Sequence, residues 1–255
     1  MKGIMICFVL IAITQASNTR NFFDKRIVYG QAVRPGEIPY VVSLQSIYNV
    51  NFCCGSILNK KYVLTAAHCF TSAHQIGIKV IAGITDLRRQ HSTHTVIKII
   101  IHENYNGQGA AQNDIALLTM KSEFVESPVL RFVRLPLPYQ RITAGTLAVV
   151  SGWGRKWSHG PTSPLLLKAW TFITSEDYCE NMYKRNGINV NKSQICAVTS
   201  NIKTGPCNGD SGGPLTVRGR IVGITSWAVG CGSVVYPAVY TRVSEYLSWI
   251  KANTN

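Results

Sequence analysis

The chain is 255 residues long, 46% hydrophobic and 15% charged, a balance that supplies a sizeable core and excludes a disordered or low-complexity polymer. Its formal net charge is +14, and four of the bases and one acid precede residue 27, which leaves +11 for the remainder. The bases sit in small groups (Lys60-Lys61, Arg88-Arg89, Arg155-Lys156, Lys184-Arg185, Arg218 and Arg220) rather than in a run. That reads as a solvated basic surface with at most weak polyanion binding and no specific nucleic-acid partner.

From the start of the chain, Lys2, the apolar stretch 3–13 and the small residues Thr14 and Ala16 form an export signal, expected over 1–16. The stretch is too short to span a bilayer, and no other approaches that length. The expected product is therefore secreted, extracellular and soluble, in a compartment where disulfides persist. Strands are expected at 40–44, 62–64, 79–83, 96–102, 115–120, 147–152, 166–173, 214–217, 221–227 and 238–243, where β-branched and aromatic residues run between turn residues. The fold class is all-β, a barrel or sandwich. Arg134-Leu135-Pro136-Leu137-Pro138 interrupts the series with prolines that cannot donate ladder hydrogen bonds, and divides a half 27–134 from a half 135–255. Helix is clear only at the C-terminus, where Val243, Tyr246, Leu247 and Ile250 form one apolar stripe. No repeat period is visible.

Without Cys7 in the signal, seven cysteines remain: 53, 54, 69, 179, 196, 207 and 231. One must stay unpaired, and counting alone does not choose the pairing. No Cys-x-x-Cys pair with matching histidines occurs, so no metal is expected. Calcium is disfavoured because the stretch 83–95 carries only Asp86, and hard cations want more oxygen ligands. Asn191-Lys192-Ser193 is a glycosylation sequon.

Acyl transfer by a serine requires a nucleophile, a base, a group that orients the base, and donors for the developing oxyanion. Ser211 lies in Gly209-Asp210-Ser211-Gly212-Gly213-Pro214, where missing side chains let the backbone turn sharply and let a substrate carbonyl approach. Taken alone that run could be a loop, and His68 in Thr65-Ala66-Ala67-His68-Cys69 could be structural. Asp114 leads into the apolar Ile115-Ala116-Leu117-Leu118, so its carboxylate is expected to be buried and to need a partner.

In this order the three motifs resemble those of the chymotrypsin-like serine proteases. Gly152-Trp153-Gly154, Ser226-Trp227 and Tyr240-Thr241-Arg242-Val243 extend the resemblance from Ile27 to the C-terminus. It implies two six-stranded antiparallel β-barrels with the active site in the cleft between them and a C-terminal helix. It implies His68 as base, Asp114 as orienter, Ser211 as nucleophile, and the N–H groups of Gly209 and Ser211 as oxyanion hole. Cleavage after Arg26 by a trypsin-like protease would remove an activation peptide, 17–26, and place the Ile27 amine beside Asp210. The disulfides would be Cys53 with Cys69, Cys179 with Cys196, and Cys207 with Cys231. Cys54 stands where the family usually has glycine, and is expected to be a buried free thiol, with competition against Cys53 for Cys69 as the alternative.

The substrate pocket implied by the resemblance involves Gly205, Asn208, Ser226, Trp227, Ala228 and Ala238. Gly205 stands at the floor, where trypsin-like members carry aspartate, and Ala228 and Ala238 form walls where open pockets carry glycine. A cationic side chain would be buried unpaired there. Cleavage is expected after apolar side chains, aromatic or Leu/Met, with a small-residue, elastase-like preference as the alternative. Expected partners are protein or peptide substrates, the activating protease and protein protease inhibitors, with a monomeric enzyme and no cofactor. The rival class is a non-catalytic, protease-shaped binding protein; such proteins usually lack a triad member, whereas all three residues are present here.

Overall fold

The computed structural model describes residues 30–71, 77–89, 92–199 and 203–254. Arg26 and Ile27 lie outside the described residues.

Among the described residues, twelve of thirteen strands form two barrels. After the two-residue β1 (Gln31–Ala32) come β2 (Val41–Gln45), β3 (Asn51–Ile57), β4 (Tyr62–Thr65), β5 (Lys79–Ala82), β6 (Ser92–Ile101) and β7 (Ala116–Met120). These six close in the order β2-β3-β4-β7-β6-β5. The second half supplies β8 (Leu147–Gly152), β9 (Leu167–Ile173), β10 (Gln194–Val198), β11 (Pro214–Val217), β12 (Arg220–Trp227) and β13 (Ala238–Arg242). They run β9-β10-β13-β12-β11-β8, and the β8–β9 pairing closes the ring, with β1 attached outside to β9. Closure removes the free edges that an open antiparallel sheet would expose.

Each barrel has its own core. Val42, Leu44, Ile57, Leu64 and Leu117 fill the first, and Val150, Leu167, Ile195, Leu215 and Tyr240 fill the second. A third cluster of Val33, Ile38, Val41, Cys54, Trp153 and Leu166 joins them. Tyr246 and Ile250, from the C-terminal end, pack into the first barrel's core although the chain reaches them from the second. The expected C-terminal stripe is thus buried as expected. It is divided between a 3-10 turn, Val243–Glu245, and the helix Leu247–Asn253.

One further helix corrects the sequence expectation. Glu176–Lys184 is α-helical, capped by the Ser175 hydroxyl, which accepts from the Tyr178 N–H at 3.1 Å. Glu176 and Asp177 complement the positive end of its dipole. We label it α1 and the C-terminal helix α2. Only Cys179 and Tyr183 of α1 are buried, so its apolar stripe is two residues long and gives little periodic signal.

Disulfides join Cys53 to Cys69, Cys179 to Cys196 and Cys207 to Cys231, while Cys54 is free and buried. Cys179 ties α1 to β10, and Cys69 ties the turn that carries His68 to β3. Loops of this size contribute about 3 kcal/mol each in the chain-entropy account.

Candidate active site

Two neighbouring strand ends create the His68–Asp114 pair. β4 and β7 run antiparallel with Thr65 opposite Ala116. The residues following β4 therefore emerge beside those preceding β7. His68 sits in the 3-10 turn Ala67–Phe70, and its Nδ1 lies 2.7 Å from Asp114 Oδ2. Its backbone N–H donates to Asp114 Oδ1 at 2.9 Å. The Ser226 hydroxyl donates to Oδ2 from the second barrel, and Thr241 Oγ1 donates to the Asp114 carbonyl at 2.7 Å. Asp114 is fully buried. A carboxylate accepts at both oxygens, so the proton of a neutral imidazole is drawn to Nδ1, and Nε2 keeps its lone pair.

Ser211 lies three residues before the start of β11. Its loop is fixed by Gly212 N–H to Thr225 O at 2.8 Å and Thr225 N–H to Gly213 O at 2.9 Å. The Ser211 carbonyl accepts from Cys54 N–H, in the first barrel, at 2.7 Å. A Cβ at residue 212, where φ is +78°, would stand 2.4 Å from the Cys54 carbonyl oxygen, so Gly212 alone allows the two barrels to meet this closely. Arg155 N–H donates to the Asn208 carbonyl at 2.8 Å. Because a trans peptide sends its N–H opposite its C=O, the Gly209 N–H is turned away from Arg155.

Asp210, beside the serine, is 1% exposed. Its carboxylate accepts from Gly154 N–H at 2.7 Å and from Cys207 N–H at 2.9 Å. Burial outweighs these two donors and pushes its pKa up to about 6.

A cavity of about 360 Å³ opens beside Ser211, lined by Pro206, Cys207, Asn208, Ser226, Trp227, Ala228 and Gly230, with Ser158 and His159 also on its wall. Among the described residues no carboxylate lines it. Of the residues expected to shape it, Ala228 lines it and Gly205 and Ala238 do not. Ala228 is exposed, at the rim, whereas Gly205 and Ala238 line an adjoining void of about 10 Å³ together with Ala228 and Gly230. Gly205, expected at the floor, thus lies in this small void, and Ala238, in β13, is buried. Gly205 has φ +147°, and a Cβ there would approach Gly232 Cα to 3.3 Å, so an acidic side chain at 205 would strain the backbone.

Sequence reasoning placed Ser226 in the substrate pocket and overlooked its hydroxyl bond to Asp114. It also overlooked Asn51, whose Nδ2 donates to the Gly209 carbonyl at 3.1 Å across 158 residues of chain. Neither contact has a local sequence signature. His68, Cys53 and Cys69 lie together, but the two sulfurs are bonded to each other and offer no thiolate to a metal.

Two barrels, a histidine paired with a buried aspartate on one and a glycine-flanked serine on the other define the architecture of a two-barrel serine protease. A family model described as Trypsin matches residues 27–250. Trypsin I-P1 of Gallus gallus is 34% identical over 97% of this chain and 96% of its own length. Trypsin epsilon of Drosophila erecta is 38% identical over 89% of this chain and 87% of its own. Among solved structures, neuropsin, a serine protease expressed in the limbic system of mouse brain, superposes with a TM-score of 0.81 at 29% identity, covering 89% of this chain and 99% of that one. The chain belongs to the trypsin family of serine proteases.

Proposed function

We propose that this protein is a secreted serine endopeptidase, made as a precursor, that cleaves after apolar side chains. The observation that carries the specificity is the uncharged cavity beside Ser211, together with glycine at position 205. A lysine or arginine side chain entering it would meet no counter-charge, and burying a cation unpaired is costly.

In this reading the Ser211 hydroxyl attacks the substrate carbonyl as His68 Nε2 takes its proton, and the imidazolium then protonates the leaving amine. Asp114 holds the tautomer and offsets the charge that forms on the ring. The Gly209 and Ser211 N–H groups receive the oxyanion. Water then repeats the sequence on the acyl-enzyme and releases the acid. Substrate lies extended against the backbone of Ser226 and Ala228 as an added strand.

Activation rests on the start of the family match at Ile27, directly after Lys25-Arg26. Cleavage after Arg26 by a trypsin-like protease would free the Ile27 amine, and the buried carboxylate of Asp210 is the anion that this ammonium would neutralise. Residues 1–16 would serve as signal and 17–26 as activation peptide. Substrates are proteins or peptides, and protein protease inhibitors are the further partners of such a site.

A second reading, small apolar preference, is favoured by the void of only about 10 Å³ at the floor. Profiling the activated enzyme on a peptide library separates these readings. Preferred cleavage after Phe, Tyr, Leu or Met supports the first and after Ala or Val the second; strong cleavage after Lys or Arg contradicts both.

A further inference from the structure

We propose that Asn51 and Cys54, both on β3 of the first barrel, are positioning residues that clamp the Gly209 carbonyl and so hold the oxyanion hole of the second barrel in its working orientation. The inference rests on the peptidase reading above. It assigns a task to the cysteine at position 54 and to an asparagine otherwise outside the site.

Asn51 Nδ2 lies 3.1 Å and Cys54 Sγ 3.2 Å from the same oxygen, Gly209 O. The orientation of the Asn51 amide is decided by the Gly209 carbonyl, which can only accept and so requires Nδ2; Ser43 Oγ then donates to Asn51 Oδ1 at 2.7 Å. With Oδ1 committed to that hydroxyl, Nδ2 faces Gly209 and can only donate. Ser43 and Cys54 are fully buried and Asn51 nearly so, so water does not readily replace these bonds. Burial, reinforced by the nearby Asp210 carboxylate, raises the Cys54 pKa and keeps the thiol protonated as a donor.

Gly209 adopts φ +97°, open to glycine and strained for other residues. Both of its flanking peptide planes are held. The Asn208 carbonyl is held by Arg155 N–H, and the Asp210 N–H donates to Cys207 O at 2.9 Å. The Asn51–Cys54 clamp fixes the remaining polar group, the Gly209 carbonyl, which stands between the oxyanion donor and the nucleophile. Without it the 209–210 plane is held only through the Asp210 N–H, and the Gly209 and Ser211 N–H groups that flank this plane lose their common aim. A preorganised donor acts mainly on the transition state, where charge develops.

The test uses full-length precursor cleaved after Arg26, with the variants Cys54→Ala, Cys54→Ser, and Asn51→Leu combined with Cys54→Ala. Cys54→Ala removes one atom and its donor. We expect kcat to fall about three- to tenfold with KM unchanged, and Cys54→Ser, which restores a donor, to recover most of the loss. The double variant should lose about 10²-fold, near the 10²–10³ seen when an oxyanion donor itself is removed. Affinity for a peptidyl aldehyde, whose adduct with Ser211 carries the oxyanion, should fall in step with kcat/KM. If kcat of Cys54→Ala and of the double variant stays within twofold of wild type, or if kcat falls while aldehyde affinity does not, the clamp is overturned. Should the double variant not fold, Cys54→Ala and Cys54→Ser decide. A cleaved wild type that turns over no peptide overturns the peptidase reading itself, and the clamp with it.

Discussion

The molecule buries two aspartates at its centre and treats them differently. Asp114 accepts from three donors on two barrels: the His68 backbone, the His68 ring and the Ser226 hydroxyl. Asp210 accepts from two backbone N–H groups among the described residues, and burial still lifts it to about 6. One carboxylate is permanently paired. The other is a charge awaiting a counter-charge, which a new amine at Ile27 would supply. In the proposed reading the contrast separates a part of the site built during folding from a part that cleavage would complete.

Breaking the Asp114 side should have the larger effect. Asp114→Asn keeps the shape but offers His68 a donor as well as an acceptor, so the ring loses its enforced tautomer. In this family neutralising the corresponding aspartate costs about 10⁴ in kcat, and single-turnover kinetics should find a loss of that order. A loss below tenfold would mean that the His68–Asp114 contact does not serve catalysis.

The Asp210 side should respond to its amine. Acetylating the freed Ile27 should lower kcat about 10²–10³-fold, the scale of a lost oxyanion donor, with full activity after acetylation as the contrary result. Because pairing raises the pKa of an amine, unmodified enzyme should lose activity as pH climbs through that raised value and the ammonium discharges. In the uncleaved precursor the sign is set by Asp210. Its folded pKa, about 6, lies above the ordinary 3.8. The stability it contributes is therefore full below about 4 and lost as pH rises to about 6. The difference is on the order of 3 kcal/mol, and thermal unfolding of precursor and cleaved enzyme at pH 4 and pH 7 measures it.

What the sequence disclosed followed the same division. Strands rich in Val, Ile, Leu and Tyr were legible from pattern, as were the motifs around His68, Asp114 and Ser211. β3 (Asn-Phe-Cys-Cys-Gly-Ser-Ile) and β10 (Gln-Ile-Cys-Ala-Val) were not, because their cysteines, glycine and amide side chains carry little strand signal. Both are nonetheless buried, and pairing on either side overrides that weak local preference. The approach of Asn51 and Cys54 to Gly209 depends on how two barrels dock, and no local pattern encodes it. The pocket was partly legible: its lack of charge followed from Gly205, but its depth did not, since Gly205 and Ala238 line a small void beside the cavity, with Ala228 bordering both.

The central claim is that Ser211 becomes a nucleophile when the chain is cut after Arg26. A peptidyl phosphonate, which reacts covalently with activated serines, tests it when applied to precursor and to cleaved protein in parallel, with the labelled peptide identified by mass spectrometry. Stoichiometric labelling of Ser211 in the cleaved protein, and little or none in the precursor, is the result predicted. Absence of label at Ser211 after cleavage, or equal labelling of both forms, would contradict it.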